Sequence, residues 1–233
     1  MKLASIAGIR GILFIFLMIS NAWGQSIADK DQLNIHNAKQ GVAREENGKE
    51  IGSVVDFIVD LSTGRILFAV VSPDTSRQKV TSVLLLPWSL AQVDSTGNIF
   101  DFMIADNMVR SAPRLSMKMW GKPLPVQLLT KVEKYWNSHS TQVPPLSLSN
   151  GVNLCKATTL IGVRVQGTTS ASLGTIRELV FDTDDNAIAL VVLAQPDTEE
   201  YSPLEFISLS WEQLYVEPRG NTVVAFAGSK TLT

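Results

Sequence analysis

Residues 51–71 read IGSVVDFIVDLSTGRILFAVV, and residues 173–193 read LGTIRELVFDTDDNAIALVVL. Set against each other at an offset of 122, four of the 21 pairs are identical: Gly52/Gly174, Asp60/Asp182, Ile66/Ile188 and Val70/Val192. Eleven more keep their chemical class, among them Ser53/Thr175, Asp56/Glu178 and Phe57/Leu179. After a one-residue shift the match resumes with Trp88/Trp211, Val93/Val216, Gly97/Gly220 and Asn98/Asn221. Chance similarity does not hold its phase across two turns and an aromatic anchor. The chain therefore carries one unit of about 70 residues twice.

Each copy reads as β-structure. Ile51–Val59 and Leu173–Phe181 are rich in Val, Ile and Phe, and each is followed by a turn and a second apolar run, Arg65–Ser72 or Ile188–Leu193. Gly64 aligns with Asn186, and these residue types best tolerate positive φ. The pairing predicts a left-handed residue in a hairpin loop, capped at its start by the side chain of Asp60 or Asp182. Val83–Trp88 and Phe206–Trp211 form the next strand. Gly97-Asn98 and Gly220-Asn221 then turn the chain into Ile99–Ile104 and Thr222–Ala227. Regular short strands of this kind predict a small barrel or sandwich. Ile66–Val71 and Ile188–Leu193 are apolar on both faces, which predicts cover on the outside as well.

Residues 105–152 differ from both copies. Asp106 is placed to cap a short helical turn that stops before Pro113. Leu128, Leu129, Val132, Tyr135 and Trp136 recur at helical spacing, which predicts a helix over Val126–Trp136 able to cover the exposed strand face. Asn137–Asn153 is rich in Ser, Asn and Pro and reads as a flexible linker.

The N-terminus, MKLASIAGIRGILFIFLMISNAWG, carries two charges, Lys2 and Arg10, ahead of the apolar block Gly11–Ser20. Ala22 and Gly24 stand at the −3 and −1 positions of a cleavage site before Gln25. This is the pattern of a cleavable secretory signal, and it predicts a periplasmic or secreted chain cut after Gly24. Retention of the segment as a membrane tether is the alternative; the apolar run is shorter than the roughly 20 residues of a span.

Composition narrows the function classes. Removing residues 1–24 leaves 18 basic and 22 acidic residues, a net charge of −4, which disfavours nucleic acid as a partner. One Cys excludes an intramolecular disulfide, and two His exclude a three-histidine metal site. Cys155 is expected to be a small buried apolar residue. Asp182-Thr-Asp184-Asp185-Asn186 has the oxygen spacing of a calcium loop, but Ala187 stands where Gly is needed and Leu193 where a bidentate Glu is needed. The hairpin reading is therefore preferred. His36 and His139 are expected in separate loops, the N-terminal lead and the linker, with no second ligand nearby, and no nucleophile elbow, P-loop or dinucleotide fingerprint occurs. Asp56/Glu178 is a repeated acid on a strand, read as a solvated face or a structural hydrogen bond. Trp88 and Trp211 are read as plugs, each closing its own barrel. No catalytic, cofactor-binding or metal-ligating residue is nominated, and no cofactor.

The pattern carried by Ile51, Gly52, Asp60, Gly64, Ile66, Pro87 and Trp88, and again by Leu173, Gly174, Asp182, Asn186, Ile188 and Trp211, resembles the PRC-barrel family. Ser210 replaces the Pro in the second copy. Val109-Arg-Ser-Ala-Pro113 followed by Trp120 is similar to the tail after such domains in stand-alone bacterial members. The resemblance implies a mainly β protein: two small antiparallel PRC-like β-barrels over 33–104 and 153–228, joined by a partly helical linker over 105–152. It also implies action through surfaces, since relatives occur in the cytoplasmic subunit of photosynthetic reaction centres and in a ribosome maturation factor. The family supplies no general set of catalytic residues. The expected function is a non-catalytic binding or scaffold protein of the bacterial periplasm that engages a protein or envelope partner. Alternatives are a tethered accessory factor of a photosynthetic or respiratory complex, and a small-ligand enzyme or hydrolase.

Overall fold

The computed structural model describes residues 32–73, 81–120, 126–140, 143, 153–167, 171–195, 206–219 and 222–227. The leader 1–24, the Gly220-Asn221 turn and most of the Ser/Asn/Pro linker lie outside the described residues.

The first unit consists of β1 (Gln32–Asn34), α1 (Ile35–Ala38), β2 (Val42–Arg44), β3 (Glu50–Asp60), β4 (Ile66–Ser72), β5 (Ser82–Pro87), β6 (Ala91–Val93) and β7 (Ile99–Phe102). Then come α2 (Asp106–Ser111), β8 (Arg114–Ser116), α3 (Met117–Trp120) and α4 (Val126–His139). The second unit repeats the plan as β9 (Leu154–Lys156), α5 (Ala157–Leu160), β10 (Arg164–Gln166), β11 (Ser172–Asp182), β12 (Ala187–Ala194), β13 (Phe206–Ser210), β14 (Leu214–Arg219) and β15 (Thr222–Ala227).

The protein is mainly β, and the two sheets have the same strand order. One runs β6-β7-β2-β3-β4-β5 and adds β8 beyond β5; the other runs β14-β15-β10-β11-β12-β13. Even the irregularities repeat. The β3–β4 ladder slips between Val54 and Asp56 and again between Ile58 and Val59, and the β11–β12 ladder slips at Ile176/Glu178 and Val180/Phe181. Each sheet is mixed rather than wholly antiparallel, because β2 pairs β7 and β10 pairs β15 in parallel. The cause is local. A 3-10 turn at Trp88–Leu90 carries the chain from β5 to β6 without a hairpin, so the following hairpin delivers β7 beside β2 in the same direction.

The turn chemistry follows the sequence. Gly64 has φ 75° and Asn186 has φ 55°. The Asp60 carboxylate accepts from the Ser62 N–H at 2.9 Å, and Asp182 accepts from the N–H groups of Asp184 and Asp185 at 2.9 and 3.0 Å. Gly52 and Gly174 are required for another reason: a Cβ at either would come within 1.9 Å of the Ser72 carbonyl oxygen or 2.3 Å of that of Ala194.

The opening segments of the two units are exchanged. β1 pairs not with its own sheet but with β11, Leu33 lying opposite Phe181. Reciprocally, β9 pairs with β3, Cys155 opposite Val59. The hairpin tips also meet, with Ile66 N–H donating to the Asn186 carbonyl at 2.8 Å and Ile188 N–H to that of Gly64 at 2.9 Å. One hydrophobic core runs through both units, and Phe57 and Phe181 cross it edge to face at 5.1 Å.

Trp88 and Trp211 are both buried, at equivalent positions. Trp88 packs within its own unit, 5.5 Å from Phe57 and 5.8 Å from Phe100. Trp211 does not simply close its own barrel: a Cβ placed on Gly64 of the first unit would come within 2.4 Å of its ring. The middle helix forms as its spacing predicts and extends to His139. Leu129, Val132 and Trp136 are buried, and the Trp136 indole N–H donates to the Leu85 carbonyl on β5 at 2.9 Å. Asp106 lies in the first turn of α2 rather than at its cap, which is Ala105. There it pairs with Arg110 at 2.7 Å and with Lys49, tying α2 to the loop before β3.

Candidate functional site

The exchanged segments create a seam, and the repeated acids lie on it. The ladder slips beside Asp56 and Glu178 break the regular pairing of β3 and β11 at those points. The Asp56 side chain turns to the opening of α5. Its carboxylate accepts the Thr158 backbone N–H at 3.1 Å, the Thr158 hydroxyl, and the Phe57 N–H at 2.8 Å. Reciprocally, Glu178 accepts the His36 N–H of α1 at 3.4 Å and the Leu179 N–H at 3.1 Å. His36 and Thr158 are themselves related by the offset of 122. Each unit thus offers one acid to the short helix contributed by the other, satisfying a backbone donor that the helix start leaves free.

The two caps differ in strength. Asp56 is 3% exposed and makes three hydrogen bonds, none longer than 3.1 Å, whereas Glu178 is half-buried and makes two, at 3.1 and 3.4 Å. Burial pushes the Asp56 carboxyl above the usual range, against the pull of its donors and the more distant charge of Lys39. Of the two expectations for this position, a solvated face and a structural hydrogen bond, the second describes it.

A cleft of about 310 Å³ opens over the same seam. Ile35, His36 and Lys39 of the first unit line it, with Thr158, Ile161, Arg177 and Glu178 of the second. Its charged groups can hold a polar or anionic surface, but its reactive inventory is thin. The Thr158 hydroxyl is spent on Asp56, and Asp56 lies behind it with its oxygens engaged. Cys155 is half-buried rather than fully buried, and its thiol is pushed up to about 12 by desolvation and then by the nearby Asp56 charge. It is a neutral thiol at pH 7, not a nucleophile.

The two histidines are not brought together, and only His36 lies beside an acid, sharing the cleft with Glu178. His36 lies in α1 at the cleft, and His139 ends α4, where its ring stacks on Tyr135 at 4.3 Å and its Nδ1 sits 2.7 Å from the Tyr135 carbonyl. Among the described residues no cluster of three or more His, Cys, Asp or Glu is placed to hold a metal ion, and no helix is long and apolar enough to cross a membrane.

Sequence reasoning missed Thr158 and the whole exchanged lead. Self-comparison could not reach it, because residues 32–51 and 154–173 share no identity at the offset that relates them in space.

The family model of the PRC-barrel domain matches residues 42–105, from the start of β2 to just past the end of β7. A search of curated proteins gives no match. Residues 42–105 are thus a PRC-barrel domain; the second unit shares its strand order and bulges without being matched by that family model.

Proposed function

We propose that this chain is a non-catalytic binding or scaffold protein, exported to the bacterial periplasm, that engages a protein partner through the surfaces of its paired units. The PRC-barrel domain supports a binding or scaffold role in general terms. The observation that carries the reading further is the use made of Asp56. It is the seam's one buried acid; two of its three hydrogen bonds, both from Thr158, hold the two units together, and the third, from the Phe57 N–H, fixes the carboxylate locally. A catalytic acid or base keeps a proton-transfer route to substrate; this one is committed to backbone and hydroxyl donors.

The test is affinity capture from a periplasmic and envelope extract, using the full exported chain and, in parallel, a version saturated beforehand with an excess of untagged chain. A binding protein yields a defined co-eluting protein that the untagged chain competes away. A turnover activity in the purified chain that depends on His36 or Glu178 would replace this reading with an enzyme. The address is tested separately: mass spectrometry of the exported chain should find Gln25 as its first residue, and retention of residues 1–24 would make it a tethered protein.

A further inference from the structure

In the first sheet β5 is not an edge: β8 pairs with it antiparallel, Val83 opposite Leu115, and both side chains are buried on the outer face. Beyond the end of β8, the Leu85 carbonyl is taken by the Trp136 indole. In the second sheet the counterpart of β5 is β13, and among the described residues nothing pairs with its far side. Phe206, at the position of Val83, is 59% exposed.

The Ser210 N–H donates to the Gln213 side chain, not to β12. Donor direction alternates along a strand, so Phe206 and Ser208 likewise turn their N–H and C=O groups away from β12. Leu85, the counterpart of Ser208, confirms the direction with its outward carbonyl. The strand Phe206–Ser210 reads FISLS and contains no charge or proline, the residues that guard exposed edges elsewhere.

We infer that β13 is a docking edge for an extended segment of a partner protein, which adds antiparallel as β8 does in the first sheet and places an apolar side chain opposite Phe206. The cis arrangement supplies the chemistry of the occupant: a polar–apolar–polar stretch like Arg114-Leu115-Ser116, main-chain hydrogen bonds for affinity and one apolar contact for register. The inference rests on the binding reading above and names where and how binding occurs.

The probe is a synthetic peptide of residues 112–119, APRLSMKM, titrated at millimolar concentration into the full exported chain, with backbone amide resonances followed by NMR. Saturable shifts should centre on 206–210. They should be lost in Ser208→Pro, which removes an edge donor but no bond to β12, and in Phe206→Asp, with thermal melts of both variants unchanged. Shifts at β5 instead, shifts elsewhere, or none at all would overturn the inference. Sedimentation without peptide covers the other occupant: a dimer abolished by Ser208→Pro would assign the edge to a second copy and overturn the partner. A failed titration beside a successful affinity capture would leave the binding reading standing and move the surface elsewhere.

Discussion

The two units share strand order, bulge positions and a buried Trp, yet the outer face of one is dry and that of the other is not. Phe68, Val70 and Ser72 on β4 are buried; their counterparts Leu190, Val192 and Ala194 on β12 are half-exposed. β5 is buried almost throughout, whereas in β13 Phe206 and Ser208 are exposed and the other residues half-exposed. The difference lies in what is appended, not in the sheet. Residues 106–143 give the first unit β8, α4 and the buried Val143; no described element stands in the same place on the second. The sequence has partly adjusted, with Ser208 and Ser210 at the places of Leu85 and Pro87, while Leu190, Val192 and Phe206 remain apolar. Apolarity on both faces is thus matched by cover from described residues at Ile66–Val71, and only in part at Ile188–Leu193.

The sharpest test of how far the units are one body is removal of their tryptophans. Trp88→Ala and Trp211→Ala should each cost about 3–5 kcal/mol, and calorimetry should show each lowering a single shared transition. Two transitions, only one of which moves per variant, would separate units that the structure joins. Since neither indole N–H has an acceptor among the described residues, Trp→Phe at either site should cost far less than Trp→Ala.

Next in size is the contrast at the hairpin tips. Gly64→Ala forces a side chain into a left-handed conformation, a strain of about 1–3 kcal/mol, and presses it on Trp211 of the other unit. Asn186→Gly relieves the equivalent strain and should be neutral or stabilising by up to about 1 kcal/mol. Denaturant melts giving equal losses for both would contradict the contact between Gly64 and Trp211.

The caps rank below these. Asp56→Ala leaves the Thr158 and Phe57 donors without their acceptor and should cost about 1–3 kcal/mol. Glu178→Ala, at a wetter site with longer bonds, should cost under about 1 kcal/mol. A larger loss at Glu178 in urea titrations would reverse the ranking of the two seams.

The smallest effect is the pH dependence of the Asp56 seam. Its folded value is raised, so the folded chain binds more protons than the unfolded chain over the window from the ordinary carboxylate range up to that raised value. Stability from this group is full below the window and falls as pH rises through it. Asp56→Asn should remove that slope, and the wild-type and variant stability curves should then diverge only within the window. Parallel curves would show that Asp56 does not carry the shift.

How much of this is legible in the sequence depends on which force sets each feature. The repeat, the turns at Gly64 and Asn186, and α4 are written in local patterns, because a positive φ or a 3.6-residue stripe constrains nearby residue types. The parallel pairs and the exchanged lead are not. β1, β2, β9 and β10 are three residues each, too short for a period to register, and their partners are set by tertiary packing. Asp56/Glu178 was visible as a repeated acid, but its acceptor role depends on Thr158 and His36, which lie in the stretch without identities.

The exchange of β1 and β9 also fixes an order of events. As the chain emerges N-terminus first, β2 to β7 can pair soon after Phe102 appears, but β3 still lacks its neighbour Leu154–Lys156 and β1 has nothing to pair with until Asp182 arrives. The seam at β3 can therefore close once Lys156 has been delivered, at the start of the trailing half, whereas the seam at β1 stays open until β11 is complete, so native closure of the whole chain is finished late.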